Sequence, residues 1–218
     1  MMNIEQARSN MIQRQLRTTN VLDEQLLDLL AELPREKFVP LEYRDLAFAD
    51  INIPLGHGQQ MMTPSIEAKM LLSLAIKATD KILEIGTGSG FVTAALAKLG
   101  QHVYSVDMDD GFIKTAGDKL AELGITNVTL QQGDAATGWD KQKPYDVICI
   151  TGSMPALPQA FKQQLAIGGR LFVILGKDAP MEATLITRVG ENDWRNDTLF
   201  ETVIPPLSQT VSRADFIF

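Results

Sequence analysis

From residue 81 onward the chain alternates short apolar runs with amphipathic stretches, and the first such unit closes on "LEIGTGSG", residues 83 to 90. Few architectures accept this pattern. A run too apolar to leave one face in water calls for a strand covered on both sides, and strand-helix alternation makes that sheet parallel. "KILEIG", "HVYSVD", "NVTLQQGD", "YDVICITG" and "GRLFVILG" are the expected strands. "FVTAALAKLG" and "GFIKTAGDKLAELG", ending at Gly100 and Gly124, and "PQAFKQQLA" are the helices between them. Two late runs, "ATLITRVG" and "TLFETVI", have no helical pattern between them and predict an antiparallel edge pair.

The first third of the chain reads differently. Residues 3 to about 33 carry a partial helical stripe, and Asp23 is placed to cap "EQLLDLLAEL" before Pro34, so two helices precede the sheet. "PREKFVP" is bracketed by Pro34 and Pro40 and predicts a tight connection with Phe38 and Val39 buried. "GHGQQMMTP", residues 56 to 64, has the composition of a loop, and "PSIEAKMLLSLAI", with Pro64 in its first turn, predicts a third helix. The expected fold class is α/β, a Rossmann-like doubly wound, mostly parallel sheet. It has helices on both faces, an N-terminal helical appendage and an antiparallel edge strand. Residues 1–63 hold the helices and the loop, and residues 64–218 form the sheet domain.

Composition narrows the function classes. A net charge of −7 opposes the attraction to phosphate that nucleic-acid binders rely on, and no basic run offsets it. No apolar run approaches the roughly 18 residues of a membrane helix. The N-terminus lacks the pattern of a secretory signal, and the single Cys149 cannot form an internal disulfide. A cytoplasmic location is expected. With only His57 and His102 available, a metal site built from His and Cys is disfavoured.

The glycine motif carries the chemistry. Glu84, Gly86, Thr87, Gly88 and Gly90 lie at a strand-to-helix turn on the carboxyl edge of the sheet, where open α/β folds bind ligands. A tight turn alone would explain one glycine pattern. Here the spacing is GxGxG with an acid two residues ahead. That acid sits badly beside a pyrophosphate and suits a ligand with a cationic end, favouring S-adenosylmethionine over a nicotinamide dinucleotide. Asp107 closes the next strand about 20 residues later, placed to accept from both ribose hydroxyls, with Met108 beside it. In "GDAATGW", Asp134 is placed to bond the adenine amino group and Ala135 to pack on the ring beside Gly133; a capped turn opening a short helix is the alternative. "YDVICITGSMP" brings Thr151 to the same pocket and lacks the Asp/Asn-Pro-Pro-Tyr cluster of amino-group methyltransferases.

Beyond these motifs the chain resembles the protein-L-isoaspartate O-methyltransferases from about residue 8 to about residue 210. "LPREKFVP", "IPLGHGQQMMTP", "LEIGTGSGFVTAALA", "GDAATGW", "YDVICITGSMPALP", "GGRLFVILG" and the late "PPL" occur in that family's order and spacing. The resemblance implies methylation, with S-adenosylmethionine, of the free carboxylate of isoaspartyl residues in damaged proteins. The family loop reads Gly-x-Gly-Gln-Thr-Ile-Ser-x-Pro, and its serine is assigned to catalysis. Aligned on Gly56, Gly58, Gln59 and Pro64, this chain has Gln60 for the threonine, Met61 for the isoleucine and Met62 for the serine. Thr63 supplies a hydroxyl one residue further on if the loop shifts. The resemblance also places Gln59, Met61, Ser153, Met154, Pro206 and Leu207 on the acceptor side, with "PPLSQ", Pro205 to Gln209, returning over the cofactor. His57 is taken as a solvated loop residue, and Trp139 and Trp194 as packing residues.

Two alternatives stay open on the sequence. Polarizable methionines suit an irregular apolar partner, so a different and smaller acceptor is one. A catalytically quiet protein that binds S-adenosylmethionine and acts through partners is the other.

Overall fold

The computed structural model describes residues 3–208. Helix α1 (Ile4–Asn10) is capped by Asn3 and continues through a π-helical turn, Met11–Leu16, and a short 3-10 turn, Arg17–Thr19, to Asn20 in the left-handed region. The first expected helix is therefore irregular along half its length. In α2 (Glu24–Glu32) the Asp23 carboxylate accepts from Leu26 N, and the helix stops before Pro34. Phe38 and Val39 are buried as the bracketing prolines imply.

The segment expected as a loop is a two-stranded hairpin, β1 (Ile53–Gly56) and β2 (Gln59–Met61). His57 and Gly58 turn it with φ of 52° and 74°, the positive pair that a type I′ hairpin requires. Its strands are too short, and β2 too polar, to show alternation. Helix α3 (Pro64–Leu74) follows directly.

The main sheet holds β3 (Lys81–Ile85), β4 (His102–Asp107), β5 (Val128–Gln132), β6 (Tyr145–Met154), β7 (Leu165–Leu175), β8 (Met181–Gly190) and β9 (Asp193–Thr202). Their order is β5-β4-β3-β6-β7-β8-β9, parallel through β7 and antiparallel beyond it. The antiparallel edge is thus two strands wide. Alternate residues feed two cores. Ile82, Val147, Cys149, Phe172 and Ile174 pack with α3, α4 (Phe91–Leu99) and the N-terminal helices. Leu83, Ile85, Ile148, Ile150, Leu171 and Val173 pack with α6 (Gln159–Gln164) and Trp139. Helix α5 (Asp110–Glu122) contributes Leu120 to the first core. The second face is the thinner one, because no helix forms between β5 and β6.

Candidate functional site

Successive strands run outward from β3 in opposite directions, so a crevice opens where its carboxyl end meets those of β4 and β6. A cavity of about 900 Å³ lies there. Its floor is the turn after β3. Gly86 has a φ of +93°, and a Cβ on it would collide with Thr151 Oγ1. The Thr151 hydroxyl donates to the carbonyls of Ile85 (3.0 Å) and Gly86 (2.6 Å), locking the turn to β6. Gly88 N donates to Asp107 Oδ2 at 2.9 Å, which locks it to β4. Gly90 does not reach the cavity. A Cβ there would lie 2.8 Å from that of Ala116, so this glycine serves the packing of α4 on α5.

Acidic side chains cluster at the ends of β4 and β5. Asp107 lines the cavity and also accepts from Asp109 N at 3.0 Å, leaving acceptor capacity on both oxygens. Met108 lies exposed beside it, and Gly133, Asp134 and Ala135 form the facing wall. The Asp134 carboxylate accepts from Ala136 N, which makes a turn rather than the start of a helix. Trp139 packs on Gly133 and Trp194 donates to Lys162 O, both as packing residues. His57 is not merely solvated: its Nδ1 meets the Asp109 carboxylate at the cavity mouth, and the ring lies 5.8 Å from that of Phe112. That imidazole holds the Asp109 carboxyl below the ordinary aspartate range.

Glu84 and Thr87 sit differently from expectation, beneath the floor rather than in the cavity. Glu84 is fully buried, accepting from Thr93 (2.5 Å) and Ser105 (2.6 Å), and Thr87 bonds Ser105 at 2.6 Å. Burial without a cation pushes the Glu84 carboxyl up to about 8. Between the unfolded value near 4.5 and about 8, the folded state holds a proton that the unfolded chain has released. Stability therefore falls as pH rises through that window, by up to about 1.4 kcal/mol per pH unit, and levels off above it. Glu84→Gln removes this contribution, so thermal unfolding scanned from pH 5 to 8 is expected to show a flatter profile than the parent. An equally steep fall in the variant would contradict it.

The remaining wall comes from the hairpin and the late segment. Met62 is buried and lines the cavity with Leu55, Gln59 and Gln60. Met61 is turned into the core instead, and lines only a smaller cavity behind the hairpin. Thr63 offers no hydroxyl to the main cavity, because its side chain caps α3 by accepting from Ile66 N. The Thr-Pro-Ser signature of a capped helix start carried that information in the sequence. Sequence reasoning missed Arg35. Its guanidinium is buried against the Phe91 ring, donates to Met62 O and Ala47 O at 2.8 and 2.7 Å, and pairs with Glu67. Burial pushes the Glu67 carboxyl up to about 7 against the pull of that guanidinium. No local pattern reveals this tie, since Arg35 and Glu67 lie 32 positions apart.

Pro205, Leu207 and Ser208 close the roof, where Gln59 Nε2 donates to Ser208 Oγ at 3.0 Å. Gln209 lies outside the described residues. Ser153, Met154 and Pro206 do not line the cavity. Strand β6 runs on through both former residues, which pair with Ile174 and Leu175 of β7, and on its other side Ser153 N donates to Pro205 O and Leu207 N to Ser153 O, pairing Ser153 with Pro206. Ser153 Oγ donates to Ile204 O, and Met154 is buried in the second core.

Comparison with known proteins gives a consistent picture. The model of the protein-L-isoaspartate(D-aspartate) O-methyltransferase family matches residues 6–212. The "Protein-L-isoaspartate O-methyltransferase 1" of Rhodopseudomonas palustris is 38% identical over 92% of this chain and 82% of its own. The "Protein-L-isoaspartate O-methyltransferase 2" of Pelobacter propionicus is 36% identical over 94% and 92%. Among solved structures, one described as a protein-L-isoaspartate O-methyltransferase of Plasmodium falciparum, in complex with S-adenosyl-L-homocysteine, shares the fold. Its TM-score is 0.79 at 18% identity, over 95% of this chain and 99% of that one.

Proposed function

The chain belongs to the protein-L-isoaspartate(D-aspartate) O-methyltransferase family, and from that premise we propose that it methylates the free carboxylate of L-isoaspartyl residues in damaged proteins, using S-adenosylmethionine. The observation that carries this reading is the division of the cavity wall. Groups suited to an adenosine, Asp107, Asp134 and Ala135, stand at the ends of β4 and β5, whereas the hairpin side presents Leu55, Met62 and the amides of Gln59 and Gln60, with His57 at the mouth. The cradle fits the cofactor: Gly86 and Gly88 line the cavity floor at positive φ, and Asp107 keeps free lone pairs for ribose hydroxyls. Met108 and Gly133 would flank the base, and Thr151, through its bond to Gly86 O, would hold the floor beneath the methionyl end.

S-adenosylmethionine, when bound, supplies a methyl group on a sulfonium. The chain's task is then alignment and exclusion of water. An aspartyl-type carboxylate with a pKa near 4 is already ionised at neutral pH and needs no general base, so the His57 imidazole, tied to Asp109 at the cavity mouth, is not required for the step. Attack of an anion on a cation disperses charge, so a dry wall of Met62 and Leu55 does not oppose the step. Arg35 holds the Met62 main chain in place. We place the activity in a reducing cytoplasm, where the buried Cys149, its thiol pushed well up by burial, stays inert.

Transfer of a labelled methyl group to an isoaspartyl peptide, beside its aspartyl twin and a blank without peptide, tests the reading. Label confined to the isoaspartyl peptide is the expected result. Equal labelling of the twins, or none with cofactor binding demonstrated by calorimetry, would return the choice to another acceptor or a quiet binder.

A further inference from the structure

The main cavity and the smaller one of about 300 Å³ behind the hairpin share six lining residues: Leu55, Gln60, Met62, Gly86, Gly88 and Thr151. An acceptor approaching from the hairpin side meets this shared wall. Only two of the six carry polar side chains. The Thr151 hydroxyl is committed to the carbonyls of Ile85 and Gly86. The Gln60 side chain is exposed and makes no hydrogen bond among the described residues, while its main chain is fixed by pairing with Pro54 across the hairpin. Deeper in the smaller cavity stands the Glu67 carboxyl, already paired with Arg35, so an anionic acceptor is stopped at the shared rim.

We propose that Gln60 is the acceptor-recognition residue of this site, its amide N–H donating to the carboxylate of the isoaspartyl group. Met62 has no donor to offer, and an amide at position 60 supplies one from the adjoining residue of the same hairpin wall. The selectivity follows from chemistry: a carboxylate accepts from an N–H with a charge-assisted bond, whereas a neutral hydroxyl or amide acceptor gains less. The inference rests on the isoaspartyl reading above.

Its test reads binding without turnover. Protein saturated with S-adenosylhomocysteine is titrated with an isoaspartyl peptide and with its aspartyl twin, for the parent chain, Gln60→Leu and Gln60→Glu. Gln60→Leu is expected to weaken isoaspartyl binding about tenfold or more, as one hydrogen bond to a charged group warrants. Gln60→Glu weakens it further by like-charge repulsion, and affinity for S-adenosylhomocysteine stays within about twofold in both. Unchanged peptide affinity in Gln60→Leu overturns the proposal alone. So does lost S-adenosylhomocysteine affinity with peptide affinity intact, since the amide would then serve the cofactor. A parent chain that does not distinguish the two peptides overturns the proposal together with the reading beneath it.

Discussion

Asp107→Ala is expected to weaken S-adenosylmethionine binding by about two to three orders of magnitude. Two losses combine. Each ribose hydroxyl bonded to a carboxylate is worth about 1.5–3 kcal/mol, and the same carboxylate also braces the floor through Gly88 N and the next helix through Asp109 N. Asp107→Asn retains one oxygen and falls between the two. Calorimetric titration with S-adenosylmethionine decides the matter, and a dissociation constant within threefold of the parent in Asp107→Ala would remove Asp107 from the cofactor site.

Arg35→Ala is expected to lower the unfolding free energy by about 3–5 kcal/mol, because it strands the Glu67 carboxylate in the core without a partner. The double variant Arg35→Met, Glu67→Leu separates stability from function. An apolar pair of similar size restores most of the loss, but Met62 O and Ala47 O lose their donor. Urea unfolding should therefore show the double variant well above Arg35→Ala but short of the parent by about 1–3 kcal/mol for the unpaired carbonyls, while methyl transfer remains at least about tenfold down. Activity returning along with stability would show that the guanidinium holds the core and not the hairpin wall.

These residues also show how far the sequence carried. The strand-helix alternation, the glycine turn and Asp107 at the end of β4 were legible because each is set within a few residues of chain, by periodicity and by turn chemistry. Ser153 and Met154 were misplaced because β6 runs on beside Ile174 and Leu175 of β7, and because Ser153 is also taken up by the late segment (Ser153 to Ile204, 51 positions), partners that no local pattern announces. Gly90 looked like a ligand contact but answers to Ala116 on another helix. Thr63 was legible and was outweighed: Thr-Pro at a helix start is a capping signal, and the vacancy of a hydroxyl at Met62 drew it toward chemistry instead. Arg35 was beyond reach, since burying a guanidinium needs a carboxylate whose position only the folded chain determines.

The roof of the cavity joins Gln59 to Ser208, 149 positions apart. During synthesis, when the chain emerges from its N-terminus, the floor of the pocket is complete once β6 has formed, yet nothing covers it until the last described residues follow. The roof contact thus waits on that late segment. The dependence also runs backwards: ligand at about a hundred times its dissociation constant adds about 2.7 kcal/mol to the stability of the folded chain. Bound cofactor is therefore expected to protect the late segment from limited proteolysis, because Pro205, Leu207 and Ser208 line the same cavity.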